Sequence, residues 1–268
     1  MTPKTNLHTH TSFTDGADTA ETMVRAALER GFFSLGFSDH MPDGWWRIPP
    51  ETVAEYRAEA LRLKEKYFGQ IEIAVGAERD FSVPLPHDGW DYLIDSVHVF
   101  RVGGESFPVD HSREDLLRTL TERFGGDGLR MAADYYGMVC RCIEERDGEI
   151  VGHLNLIEKF NDDGRFFDAE DPRYLSLAME AVRLAAERDR IVEINTGAMS
   201  RGYRAEPYPS RAMLTELRRR GGRIAVTSDC HRAEWIDFGF DRAVQLARDC
   251  GFDSQWVWRD GALREAAL

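Results

Sequence analysis

Short apolar runs alternate along the chain with longer stretches in which apolar residues recur every three or four positions. The runs at residues 4–7, 33–38, 71–76, 92–97, 149–154, 191–195 and 223–227 have strand length. The periodic stretches predict helices at about 51–67, 172–188 and 240–250. In the first of these, Val53, Tyr56, Ala60, Leu63 and Tyr67 share one face. Asp18 can cap an earlier helix with Glu21 reaching back, and Gly31 stops it. Ser210 can cap a helix carrying Met213, Leu214 and Leu217, which Gly221-Gly222 ends. The stretch over 99–149 is longer, and its helical period appears late, at Leu129, Ala132, Tyr136, Val139 and Ile143.

Strands alternating with helices predict βα units and a parallel sheet. Seven of them fit an α/β fold of distorted (β/α)7 barrel type, one unit short of the common eight. No repeat, low-complexity segment or linker divides the chain, so a single domain over residues 1–268 is expected.

Six of the eight histidines fall at, or within four residues of, the end of an apolar run: His8, His10, His40, His98, His153 and His231. Asp15, Asp39, Glu78 and Asp229 occupy the same kind of place. Chemistry in such barrels sits at the carboxyl ends of the strands, and imidazole and carboxylate are the side chains that hold divalent metals. His8 and His10, two apart in an extended segment, can grip one ion from one face. Each motif alone is a common surface feature. Six at successive strand ends would require independent accidents to coincide, which points to a multi-metal centre. His87 and His111 stand outside the set.

The bulk numbers limit what such a centre serves. A net charge of -13 argues against nucleic-acid partners, though bound metals can reverse the sign locally and admit a small phosphate. No apolar stretch approaches the roughly 20 residues of a membrane helix, and no secretory leader pattern opens the chain, so a cytoplasmic monomer or homodimer is expected. Cys140 and Cys142 lie on a predicted helix that points them apart, and Cys230, between Asp229 and His231, reads as a bystander. Neither a nucleophile elbow nor a P-loop is found, and Arg101-Val102-Gly103-Gly104 lacks the P-loop lysine.

Several segments carry a family resemblance. They are Asn6-Leu7-His8-Thr9-His10 running on to Asp15-Gly16, Gly36-Phe37-Ser38-Asp39-His40, Ser96-Val97-His98 and Val151-Gly152-His153-Leu154-Asn155, with Ser228-Asp229-Cys230-His231-Arg232. The sequence resembles the polymerase-and-histidinol-phosphatase (PHP) family. Glu193-Ile194-Asn195-Thr196 with Glu206-Pro207-Tyr208-Pro209-Ser210, and the Ser228–Arg232 segment, make it similar to the histidinol-phosphate phosphatase branch. The match spans roughly residues 5–252. Asn155 is a departure, because the branch usually shows Asp there.

The resemblance implies a PHP-type barrel with three divalent ions, zinc, iron or manganese. His8, His10, Glu78 and Asp229 would hold one, and Glu78 would bridge to a second held by His98 and His153. Asp15, His40 and His231 would hold the third. It further implies a phosphomonoesterase cleaving L-histidinol phosphate by attack of a metal-bridging hydroxide, with Asp229, His231 and His153 central to catalysis. The alternative is a PHP-type phosphoesterase acting on another small phosphate ester or a nucleotide. Arg201, Lys159 and Arg165 are the candidate phosphate clamps, since guanidinium matches phosphate oxygens in pairs. The loop Pro42-Asp43-Gly44-Trp45-Trp46-Arg47 is expected at the substrate mouth.

Overall fold

The computed structural model describes residues 4–42, 48–102 and 104–268. Trp45 and Trp46 lie outside the described residues. The strands are β1 (Thr5–Asn6), β2 (Ser34–Phe37), β3 (Glu72–Asp80), β4 (Tyr92–Ser96), β5 (Val99–Val102), β6 (Glu105–Pro108), β7 (Ile150–Val151), β8 (Ile191–Asn195), β9 (Arg223–Thr227), β10 (Ser254–Arg259) and β11 (Ala262–Ala267). The helices are α1 (Ala20–Glu29), α2 (Pro50–Lys66), α3 (Arg113–Phe124), α4 (Gly128–Glu145), α5 (Pro172–Glu187), α6 (Gly197–Ser200), α7 (Arg211–Arg219) and α8 (Phe240–Asp249).

Seven strands form one sheet in the order β1-β2-β3-β4-β7-β8-β9, each pair parallel. The sheet is nearly closed as a barrel. Asn6 spans the seam: its Nδ2 donates to Ser228 Oγ at 2.6 Å and to the Ile236 carbonyl at 3.0 Å, and its Oδ1 accepts from Ser228 N at 3.2 Å. Just above, His10 N donates to the Cys230 carbonyl at 3.0 Å, so the two outermost strands end side by side.

The period of two along each strand sorts residues between the barrel interior and the helix layer. On β3, Ile73, Val75 and Ala77 pack outward with α1 and α2, while Ala74 lies in an inner cluster with Leu7, Tyr92, Ile94, Ile150, Ile191, Ala225 and Trp258. Tyr92 crosses that interior, donating to the Leu7 carbonyl at 2.5 Å and lying 3.0 Å from that of Phe37. A Cβ at Gly36 or Gly76 would come under 3.0 Å from its side chain, so both positions require glycine. The β10–β11 hairpin supplies Trp258 and closes the end of the barrel opposite the site.

Three differences from the sequence expectation have physical causes. β3 runs four residues past Gly76 because Glu78 and Asp80 face inward, while Arg79 is buried on the outer face against Asp95 at 2.7 Å. Asp18 does not cap α1. Thr19 does so by accepting from Thr22 N, and Asp18 instead accepts from Ala233 N at 2.8 Å. Within residues 99–149 the chain also forms the β5–β6 hairpin and α3, whose short runs lack a long apolar period.

Candidate metal centre

The nine residues expected as ligands gather at the carboxyl ends of the parallel strands. His8 Nε2 lies 3.3 Å from Glu78 Oε2 and 3.7 Å from Asp229 Oδ1, and His10 Nε2 lies 3.5 and 3.2 Å from the same two oxygens. On the other side of Glu78, its Oε1 is 3.2 Å from His98 Nε2 and 3.0 Å from His153 Nε2, which are 3.1 Å from each other. Asp15 Oδ2 sits 2.9 Å from His231 Nε2 and 3.7 Å from His40 Nε2. His10 and His40 stand between groups, since His10 Nδ1 is 3.6 Å from Asp15 Oδ1 and His40 Nδ1 is 3.2 Å from Glu78 Oε2.

These spacings fit metal ions. Ligands about 2.1 Å from a tetrahedral ion lie about 3.4 Å apart, close to the separations found. His8 Nε2 and both ring nitrogens of His10 are buried without a hydrogen-bond partner. Leaving such nitrogens unpaired costs free energy, and a cation at the centre of each group removes that cost. Burial opposes charge on the Glu78 carboxyl, yet His8, His98 and His40 hold it well below the usual range. Asp229 is held low against burial by Arg201 and His8. Burial likewise disfavours charge on His8, but Glu193, Glu78 and Asp229 hold its imidazole above the ordinary value.

A surrounding set of side chains aims these groups. Glu193, fully buried on β8, accepts from His8 Nδ1 at 2.8 Å, His153 N at 2.5 Å, Asn195 Nδ2 at 2.8 Å and Thr227 Oγ1 at 2.7 Å. A carboxylate on the far nitrogen of a ligating imidazole fixes its tautomer and direction. Ser96 Oγ donates to Glu78 Oε1 at 2.7 Å, and Asp80 accepts from His98 N at 2.7 Å. Asp39 stands off the cluster and accepts from Thr11 N at 2.9 Å and from Thr14 Oγ1 at 2.5 Å, shaping the loop that carries Asp15. Asp229 has a backbone φ of 45°, a conformation costly for a residue other than glycine, and it turns the carboxylate into the centre. Glu193 and Ser96 were not assigned roles from sequence, although both fall on the inward period of their strands.

A cavity of about 240 Å³ opens over the cluster, lined by Asp15, Glu78, Asp229 and His231 below and by Asp110, Leu156, Lys159, Arg201 and Tyr203 around the wall. Arg201 Nη2 donates to Asp229 Oδ2 at 3.1 Å, and its Nη1 lies 2.8 Å from His231 Nδ1. Lys159 reaches the wall but donates to the Asp110 carbonyl at 2.7 Å and to its carboxylate at 3.2 Å. Arg165 is exposed and does not line the cavity, because its loop turns outward where Arg165 N meets Asp163 Oδ1 at 3.3 Å. The EPYPS segment joins the site through Tyr208, whose backbone pairs with Asn195 and whose ring lies 6.4 Å from that of His153. Cys230 is buried in the outer apolar cluster rather than in the cavity.

Comparison with known proteins agrees with this geometry. The PHP domain family model matches residues 6–197. A Deinococcus radiodurans protein named "Probable histidinol-phosphatase" is 30% identical, with 94% of this chain and 95% of the relative aligned. The histidinol-phosphatase of Bacillus subtilis (strain 168) is 25% identical over 90% of this chain and 98% of its own. Among solved structures, the histidinol phosphate phosphatase of Lactococcus lactis subsp. lactis Il1403, complexed with zinc, L-histidinol and phosphate, superposes with a TM-score of 0.76. It is 19% identical and covers 97% of this chain and 98% of its own. Seven parallel strands, six of them ending on histidines or carboxylates, and a family model matching most of the chain, make this protein a member of the PHP domain family.

Proposed function

We propose that the protein is a metal-dependent phosphomonoesterase that hydrolyses L-histidinol phosphate to L-histidinol and phosphate. The observation that carries this reading is the convergence of nine imidazole and carboxylate side chains, with orphaned buried nitrogens among them, beneath a small cavity walled by Arg201. The names of the curated relatives, which align along nearly their whole length, support the substrate.

His8, His10, Glu78 and Asp229 would hold one divalent ion, and Glu78 with His98 and His153 a second. Asp15, His40 and His231 would hold a third. Divalent ions so placed lower the pKa of water toward neutrality and offset phosphoryl charge. The protein's own part is positional. Glu78 offers one oxygen to each of two neighbouring groups, Glu193 locks the His8 ring, and Arg201 fixes Asp229 and His231 while it lines the cavity. Glu78 and Asp229 are buried, so bulk water has little access to the base of the site, where charge interactions are strongest.

The test is a steady-state comparison of the metal-loaded protein on L-histidinol phosphate and a panel of small phosphate esters and nucleotides. The reading requires L-histidinol phosphate to give the highest kcat/KM. Fast turnover of another ester beside negligible turnover of this one would reassign the substrate.

A further inference from the structure

Resting on the proposed reaction, we infer that Asp110 is the specificity residue that receives the protonated amino group of the amino-alcohol phosphate. The β5–β6 hairpin leaves the sheet directly after His98 and returns at Val109, whose N–H donates to the His98 carbonyl at 2.8 Å. That return sets Asp110 in the cavity wall beside the metal cluster. It is the one carboxylate lining the cavity, among the described residues, that is not in the nine-residue set.

Its geometry is that of a fixed receptor with an open edge. Oδ2 accepts from Lys159 Nζ at 3.2 Å, while no group among the described residues donates to Oδ1, and the side chain is 23% exposed. Lys159 is itself immobilised, packed 5.1 Å from the Tyr203 ring centroid. A carboxylate in this position repels the phosphate dianion, so it is a poor choice for a wall that serves phosphate alone. It suits a substrate that carries a cation a few bonds from its phosphate, where a like-charged or neutral competitor is rejected. Leu156 and the Tyr203 ring, on the same wall, offer apolar surface to the carbon skeleton between the two charges.

The rival role is purely supportive, with Asp110 holding Lys159 for the phosphate, and it predicts equal damage to every ester. The experiment compares wild type, Asp110→Asn and Asp110→Glu on L-histidinol phosphate and on p-nitrophenyl phosphate, which has no cation. Asp110→Asn is expected to lower the ratio of the two kcat/KM values at least about tenfold, chiefly through KM for the amino ester, with Asp110→Glu retaining more of the ratio. Equal losses on both esters overturn the inference. A measurement that needs no variant is the wild-type rate on the ester lacking its amino group, which should fall by at least about tenfold in kcat/KM. Equal turnover of that ester and the parent also overturns it. Wild type preferring p-nitrophenyl phosphate would instead remove the proposed function.

Discussion

Glu193 Oε2 accepts a hydrogen bond from His8 Nδ1 at 2.8 Å, and both side chains are wholly buried. The bond turns the opposite nitrogen of His8 toward Glu78 and Asp229, where it has no other partner. Because the same carboxylate accepts from the His153 backbone and from Thr227, it joins three strand ends to one reference point. Glu193→Gln keeps the shape and loses the charge. Metal affinity is expected to fall by about 10–100-fold, with activity recovering at high added metal. Metal content after dialysis and activity against metal concentration measure this, and undiminished retention of metal would remove the role given to Glu193.

The clustered residues are expected to fail in a different way. His153→Ala removes a nitrogen 3.0 Å from Glu78, and Asp229→Asn removes a charge that Arg201, His8 and His10 all face. Either should reduce turnover at least about a hundredfold, and excess metal should not restore it. Circular dichroism would confirm that the variants fold. Near-wild-type rates in a folded variant would contradict the ligand assignment.

Removing metal should cost stability as well as activity. The cluster buries five imidazoles and two carboxylates, Glu78 and Asp229, and the ring nitrogens that His8 and His10 turn toward it are unpaired. A ligand present at a hundred times its Kd stabilises the folded state by about 2.7 kcal/mol per site. Chelation is therefore expected to lower Tm by several degrees, and zinc, iron or manganese to restore it. A Tm indifferent to chelator, with metal shown by analysis to have left, would count against the centre.

Much of this was legible in the chain because strands of a parallel barrel end on its functional face. The histidines ended apolar runs, and those runs became β1, β2, β4, β7 and β9 with edges shifted by a few residues. Glu78 was read as lying past its strand because Glu78-Arg79-Asp80 is wholly charged. The strand continues there because the inward residues meet the centre and Arg79 finds Asp95 outside. Asp110 was hidden for another reason: it reaches the cavity through a hairpin whose pairing partners lie within a few residues of each other, a local feature unrelated to the barrel period. The β10–β11 hairpin did carry a signal, Asp260-Gly261 between alternating segments, and both residues have positive φ there.

Packing inside the barrel makes a prediction far from the chemistry. Tyr92 occupies the interior only because Gly36 and Gly76 lack side chains, and its hydroxyl donates to the Leu7 carbonyl one residue before His8. Gly76→Ala forces the ring to move, at a cost of about 1–3 kcal/mol. Urea unfolding should show an earlier midpoint with an unchanged slope, and an unshifted midpoint would mean that the interior yields more readily than the contacts imply.

Cys230 lies between Asp229 and His231 in sequence, yet its thiol faces the opposite way. It is wholly buried in the apolar cluster with Met23, Phe37 and Ile236, and burial pushes the thiol up to about 12. A thiolate, not a thiol, is what binds metal, so Cys230 has neither the charge nor the direction of a ligand. Cys230→Ala should therefore keep full metal content and leave turnover within about twofold, while a small cavity costs about 1 kcal/mol of stability. In the native protein at pH 8 this thiol should react slowly with a disulfide reagent and quickly once unfolded. Loss of a metal equivalent in the alanine variant would place the sulfur in the centre and require Asp229 and His231 to be aimed differently.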